Sequence, residues 1–589
     1  MHLGKYPLLN VRSRLWCLPL ACILLAGVPL GAHSQGAAPL PIPALQRTGD
    51  QFQLLVDGQP YLILGGQAHN SSASNVNDAE AAYKALDYMH ANTAEIPISW
   101  NLIEPEPGKF DFTLVDGLIE RARAHQLRLV FLWFGTAKNG TFSYVPDWVK
   151  QDRTKYFRAR NSRGGEMNAL SPFCDAALMA DERAFAALMH HIRDVDTNER
   201  TVILMQVENE VGLGGTDRDY SSPANLAFAE AVPADVMSYL VSHKETLRPA
   251  MYEAWQQSGF RPQGTWTEVL GDMGQEAFSA WSVSRYVDGV TAAGKAEYPI
   301  PYYLNVSLMN TGSARAGDWP SGGATAHVID IWKANAPHID FIAPDIYRVD
   351  FPEMVDIYDR PDNPLLVPET GFSPYYAPYV FTTLAGHNGL GFAPFGVDVK
   401  PKQRVDDGYS TAAETKDPEV KPGQAIASME ENFRLLKPLL PLIASKRYQN
   451  SLFPIVLNFY RHEAVAIPLG DALGAVVHFE EPFVSSTDAH RAGGIIIKLS
   501  PDTFVVAGHG FHVDFEELTG PPRNAEYLSV EEGTYNAGKW VREHVLNGDE
   551  ENTSLPTTRP RTLMVRLNRR KEASLLKKTA KASSYLSRK

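Results

Sequence analysis

The sequence predicts an α/β fold, a (β/α)8 TIM barrel followed by a C-terminal β-sandwich. Three observations carry the prediction. Between residues 61 and 396, eight short apolar runs alternate with amphipathic stretches of helical period. Most of the runs end in polar or Gly/Pro-rich residues, as barrel strands do where their C-terminal ends form a site. Beyond about residue 440 the helical stretches stop and only strand and turn patterns follow.

The runs are YLILGG (61–66), NTAEIPIS (92–99), LRLVFLWF (127–134), TVILMQVENE (201–210), IPYYLNVSL (300–308), DFIAPDIY (340–347), PLLVPETGF (364–372) and GLGFAPFG (389–396). Helical period marks Ala79 to His90, Leu114 to His125, Asp181 to Val195 and His327 to Ala334 between them. An open doubly wound sheet ranks lower, because no Gly-rich phosphate loop follows the first run. QLLVDGQPYLILGG (53–66) reads as a hairpin turning at Asp57-Gly58. The stretches 447–479 and 493–515 read as the sandwich strands.

The expected domains are an export leader (1–34), a Pro-rich linker (35–45), the barrel (46–435), the sandwich (436–568) and a basic disordered tail (569–589). Lys5, Arg12 and Arg14 precede the apolar run Leu15 to Ala32, and Ala32 to Ser34 offers a small-residue cleavage site. The run is short and Pro-interrupted for a membrane anchor. The expected location is therefore periplasmic or extracellular, with no membrane attachment after cleavage. A formal net charge of -13 argues against a nucleic-acid partner. Of 3 Cys, Cys17 and Cys22 lie in the leader, so Cys174 remains alone and reads as a packing residue. The 17 His are scattered, and His190-His191 shows no HExxH arrangement, so neither metal nor organic cofactor is expected. Trp266 and Trp281 read as sugar-stacking or core aromatics.

The chemistry centres on LMQVENEVGLGG (204–215), the end of the fourth run. Strand alternation puts Gln206, Glu208 and Glu210 on one face and Val207 and Asn209 on the other, which does not choose between the two glutamates. The seventh run ends in Glu369. Strands four and seven of a closed barrel face one another, so a glutamate on each would place two carboxyl groups around one substrate. Glycoside hydrolysis uses that pair: one protonates the leaving oxygen and the other attacks the anomeric carbon. A separation of about 5 Å gives retention and a wider gap inversion.

QVENEVG (206–212), VPETGF (367–372) and NLIEPEPGKFDF (101–112) resemble the family 35 β-galactosidases of glycoside hydrolase clan A, above all the bacterial members with a small C-terminal β domain. The likeness runs from about Leu45 to Leu567. It implies that Glu210 is the acid/base, that Asn209 binds the sugar 2-hydroxyl, that Glu369 is the nucleophile, and that Tyr347 hydrogen-bonds it. The implied activity is that of a retaining, exo-acting β-galactosidase on terminal β-galactosyl residues of oligo- or polysaccharides, with no cofactor. The sequence departs from the family after strands one and three. A His-Tyr pair and an Ala-Glu are common there, whereas this chain has GGQAHNSS (65–72) and FGTAKNG (134–140), with Lys138 and Asn139 near the missing glutamate. Gln67, His69 and Asn139 are the candidate replacements for those sugar contacts. The rival readings are another clan A exo-glycosidase (a β-glucosidase or α-L-arabinopyranosidase) and a noncatalytic carbohydrate-binding barrel. Oligomeric state and the role of the β domain are left open by the sequence.

Overall fold

The computed structural model describes residues 40–309, 312–348, 350–398, 423–457, 464–480, 492–518 and 523–569. The expected leader, the first part of the linker and the basic tail beyond Arg569 lie outside the described residues. The last part of the linker is a strand: Ala44–Thr48 pairs antiparallel with Gln51–Val56, which turns back into Gln59–Pro60. Backbone pairing with Leu54 and Leu55 orders Leu45 and Ala44 despite their Pro-rich surroundings. At the second turn Asp57 and Gly58 have φ of 54° and 74°, the paired positive values whose twist matches a two-residue hairpin. Leu54 and Val56 of this hairpin pack into the apolar interior of the barrel.

The barrel strands are β1 (Ile63–Leu64), β2 (Thr93–Ser99), β3 (Arg128–Lys138), β4 (Val202–Asn209), β5 (Tyr302–Ser307), β6 (Phe341–Ile346), β7 (Leu366–Val367 with Glu369–Thr370) and β8 (Gly391–Phe392). They pair in parallel in that order. Pro368, which has no N–H to give, splits β7: its first half pairs with β8 and its second with β6. β8 pairs with β1, and β1 runs on to β2 through hydrogen bonds from Glu95 N–H to Gly66 O and from Ala68 N–H to Glu95 O. The ring is thereby closed. Val130, Leu132, Phe134, Ile203, Tyr303, Phe341 and Leu366 fill its interior.

The outer layer holds α1 (Val76–Tyr88), α2 (Thr113–Ala124), α3 (Asp175–Val195), α4 (Gly274–Glu297), α5 (Ile329–Asn335) and α6 (Phe351–Tyr358). Ala184, Phe185, Leu188 and Ile192 give α3 a buried face at helical spacing. Trp266 is core: it is 1% exposed and packs against Phe278 and Trp281 with ring centroids 5.9 Å from each. Cys174 is buried at the start of α3, where burial pushes its thiol up and away from reactivity. Among the described residues no helix is long and apolar enough to cross a membrane.

Helices α7 (Gln424–Leu436) and α8 (Leu440–Lys446) precede the strand-rich region, whose first strand is β9 (Leu452–Val456). The boundary expected at 436 therefore falls at the end of a helix. Met429, Phe433, Leu436 and Ile443 belong to the same apolar cluster as the barrel's outer layer, so tertiary burial carries the helical region past the boundary. Two antiparallel sheets follow. One has the order β9, β12 (Gly493–Ser500), β13 (Thr503–His509), β17 (Arg561–Asn568), β15 (Glu526–Asn536), β16 (Lys539–Leu546). The other contains β10 (Val465–Gly470), β11 (Leu473–Phe479) and β14 (Phe511–Glu517). Ile496, Phe504, Val506, Phe511, Val513 and Phe515 form the core between them. The chain crosses from one sheet to the other at Gly510, whose φ of 80° suits glycine.

Barrel closure rests on two-residue strands and so on close approach at Gly391. A β-carbon there would sit 2.9 Å from Ile63 O and collide with the Ile63 side chain. Gly391→Val is expected to destabilise the protein by about 1–3 kcal/mol through overpacking, read as a lower midpoint in thermal or denaturant unfolding.

Candidate active site

The fourth strand breaks its own alternation at the barrel mouth. Glu208 and Glu210 have φ of 59° and 45°, left-handed values that are uncommon outside glycine. The side chains of Asn209 and Glu210 consequently both reach the site, while that of Glu208 meets α3 and the end of β3. Regular parity would have put Glu208 and Glu210 together; the two left-handed residues separate them.

Glu208 is fully buried and accepts hydrogen bonds from Thr136 N–H (3.0 Å), Thr136 Oγ1 (3.0 Å) and Ala137 N–H (2.7 Å). It is also hydrogen-bonded to Asp181 of α3, which accepts from Trp133 Nε1 at 2.9 Å and Tyr286 OH at 3.3 Å. Burial pushes Glu208 well up, and the Asp181 charge adds to it. Two carboxyl groups in contact share a proton in such surroundings. Gly135 leaves the room: a β-carbon there would lie 2.7 Å from Glu208 Oε1 and 2.9 Å from Asp181 Oδ1. Glu208 is thus a structural clamp joining β4, β3 and α3.

Glu210 is held from below. Its N–H donates to Asn305 Oδ1 (2.9 Å), which fixes the amide so that Asn305 Nδ2 donates to Asp345 Oδ2 (2.7 Å). Across the mouth, Glu369 Oε1 accepts from Tyr347 OH at 2.7 Å and Glu369 Oε2 from Gln67 Nε2 at 3.1 Å. One oxygen each of Glu210, Asp345 and Glu369 lie within 4.8 Å of one another. That spacing would also admit a divalent cation, but both oxygens of Glu369 already accept hydrogen bonds from Tyr347 and Gln67.

Burial pushes the Glu210 carboxyl up to about 7, helped by the charge of Glu369 and opposed by Lys138, Ser307 and Asp345. Asp345 is pushed well up by burial and by Glu369 and Glu210. Tyr347 exposes 40% of its surface yet buries its hydroxyl, and that burial with the Glu369 charge keeps the phenol a donor. Lys138 Nζ donates to Asn209 Oδ1 at 2.5 Å, which orients the amide with Nδ2 as its donor. Asn209 Nδ2 is buried and has no protein partner among the described residues, so it is free to donate to a bound hydroxyl.

Of the residues that the sequence singles out, Gln67, Asn209, Glu210, Tyr347 and Glu369 are gathered here. His69 and Asn139 are not in hydrogen-bond contact with the carboxyl groups. The His69 ring pairs with Asp398 at 2.8 Å and stands edge-on to Phe395. Asn139 is exposed in a turn with φ of 52°, and its N–H donates to Asn209 O; its neighbour Lys138 makes the side-chain contact instead. No sequence motif marks Asp345, Asn305 or Glu95. Asp345 stands two residues before Tyr347, on the same face by strand alternation, and Asn305 and Glu95 are polar residues inside apolar runs. Glu95 is fully buried with both carboxyl oxygens unpaired; burial, then the Glu369 charge, push it well up.

Residues 53–264 match the family described as Glycosyl hydrolases family 35. The matched stretch runs from the N-terminal hairpin through β4 and carries Asn209 and Glu210. Residues 429–556 match a second family, described as a domain of unknown function (DUF5597). A beta-galactosidase of Xanthomonas manihotis is 27% identical over 218 residues, which are 36% of this chain and 33% of that protein. The alignment thus spans about a third of that curated relative. Among solved structures, the beta-galactosidase from Bacillus circulans sp. alkalophilus aligns with a TM-score of 0.43 and 15% identity, covering 65% of this chain and 57% of that one. The beta-galactosidase from the haloarchaeon Halorubrum lacusprofundi aligns with a TM-score of 0.43 and 16% identity, covering 64% and 58%.

Glu210 and Lys138 form a testable electrostatic pair. Glu210 should titrate near pH 7 in carboxyl ¹³C NMR, assigned by difference against Glu210→Gln. Lys138 lowers this value, so Lys138→Met should move the midpoint upward. A midpoint that stays put or falls would show that the ammonium does not act on Glu210.

Proposed function

We propose that the protein is an exported, retaining, exo-acting β-galactosidase that removes terminal β-galactosyl residues from oligo- or polysaccharides. The observation that carries this reading is that Glu210 and Glu369 bring one oxygen each within 4.8 Å across the barrel mouth, in a chain whose residues 53–264 match family 35. Retaining glycosidases hold their two carboxyl groups about 5–5.5 Å apart, too close to leave room for a water between the second carboxylate and the anomeric carbon.

In the first step a Glu369 carboxylate oxygen attacks the anomeric carbon as the bond to the glycosidic oxygen breaks. Glu210 gives its proton to that oxygen and the aglycone leaves. Water then attacks the same carbon, Glu210 takes its proton, and the sugar is released with Glu369 regenerated. Asn209 Nδ2 supports the step by donating to the 2-hydroxyl, a bond that strengthens in the transition state. Export rests on the leader-like residues 1–34, and the acidic chain suits a neutral glycan. Lys138 in place of the usual glutamate leaves a β-glucosidase or α-L-arabinopyranosidase as the second reading.

A panel of nitrophenyl glycosides separates these, with galactoside expected fastest; galactoside among the slowest would reject the glycone assignment. A 2-fluoro-galactoside should label Glu369 stoichiometrically, and Glu369→Ala should abolish turnover. Glu210→Ala should lose about 10²–10⁴-fold on substrates with poor leaving groups and much less on dinitrophenyl galactoside, which needs no proton. On the wild-type enzyme kcat/KM should fall as pH rises through about 7, because the acid form of Glu210 is the active one.

A further inference from the structure

The β domain carries a histidine pair that the hydrolytic reaction does not use. β11 and β14 are antiparallel neighbours, and their register sets His478 directly opposite His512. Asp514 lies two residues beyond His512, on the same face. The imidazole rings stack with centroids 4.7 Å apart and planes within 10°. His478 Nε2 is 3.3 Å from Asp514 Oδ2, and His512 Nε2 is 4.0 Å from the same oxygen. One ligand atom from each residue falls within 4.8 Å of the other two. These residues lie inside the domain of unknown function matched by residues 429–556.

We propose that β11 and β14 form a binding site for one divalent first-row transition ion of the Zn²⁺ class, with His478, His512 and Asp514 as ligands. Two imidazoles and one carboxylate are a borderline donor set, suited to Zn²⁺, Ni²⁺ or Cu²⁺ rather than to the all-oxygen preference of Ca²⁺ or Mg²⁺. Bonds of about 2.0–2.1 Å in a tetrahedral shell separate ligand atoms by about 3.3 Å. The His478–Asp514 pair already has that spacing at 3.3 Å, and the 4.0 Å of His512 needs only a small ring movement. All three side chains are two-fifths exposed or slightly more, so the rings can turn and the ion has access. Three protein ligands leave a position for water or a partner's ligand. Because the ligands come from two strands, the ion would staple β11 to β14 and stabilise the folded domain in proportion to its free concentration.

Equilibrium dialysis of the full chain against Zn²⁺ alone tests the site. The wild type should take up one equivalent. His512→Ala and Asp514→Asn should each weaken uptake by about tenfold or more, whereas Glu369→Gln should leave it unchanged. Zn²⁺ should raise the melting temperature of the wild type and not of His512→Ala, whose hydrolytic activity should match wild type. No uptake by the folded wild type overturns the proposal. So does uptake that survives both β-domain substitutions, or that is lost in Glu369→Gln, which would place the ion among the catalytic carboxyl groups. Should His512→Ala fold poorly by circular dichroism, Asp514→Asn decides alone.

Discussion

The barrel's interior crowds carboxyl groups into a space that solvates charge poorly, and this constraint organises the rest of the site. Glu95, Glu210, Asp345 and Glu369 all act on one another or on a shared neighbour, and burial is the largest influence on the first three. Lys138 is the cation that acts on both Glu210 and Asp345. So many acids with so little compensating charge cannot all ionise. The arrangement keeps Glu210 poised near neutrality beside a hydrogen-bonded Glu369.

Such electrostatics are useful only if the groups are fixed, and three devices fix them. The left-handed backbone at Glu208 and Glu210 brings the consecutive side chains of Asn209 and Glu210 to the site and turns that of Glu208 away from it. The Glu208–Asp181 contact, with Thr136 and Ala137 as donors, anchors that irregular strand end to β3 and α3. The Glu210 N–H and Lys138 each settle an amide orientation, that of Asn305 beneath Glu210 and that of Asn209. Glu208 therefore shapes the site without belonging to it. Its substitution would be felt through the position of Glu210, since a buried donor set left without its acceptor costs about 1–3 kcal/mol.

The strand positions were legible in the sequence because each apolar run is bounded by turn residues and the intervening helices keep their period. The glutamate ending β7 and the asparagine before Glu210 were legible as motif. What could not be read was local backbone geometry: alternation assumes extended residues, and two positive φ values undo it. Asp345 and Asn305 were hidden for another reason. Their importance comes from facing Glu210 and Glu369 across strands, and spacing along one chain does not report that. Lys138, a departure from the family pattern in the third loop, also orients Asn209. The His478–His512 pair was equally hidden, since only antiparallel register brings together residues so far apart in sequence.

The β domain also bears on the strand that carries Glu369. Among the described residues, the connection from β7 to β8 has no long helix, only the short helix Tyr379–Phe381 and a π-helical turn at Thr382–Gly386. β9 and β12 pack on this segment. Gly493 allows the approach, because a β-carbon there would stand 2.7 Å from Pro378 and 3.3 Å from Phe381. Ile495, Ile497, Val505 and Ala507 then join the same apolar cluster as Tyr379, Val380, Met429 and Phe433. A sheet face thus occupies the place where a barrel ordinarily puts its seventh helix. The strand that presents Glu369 would lose its outer support without the β domain, so the domain serves the barrel as packing, whatever it binds.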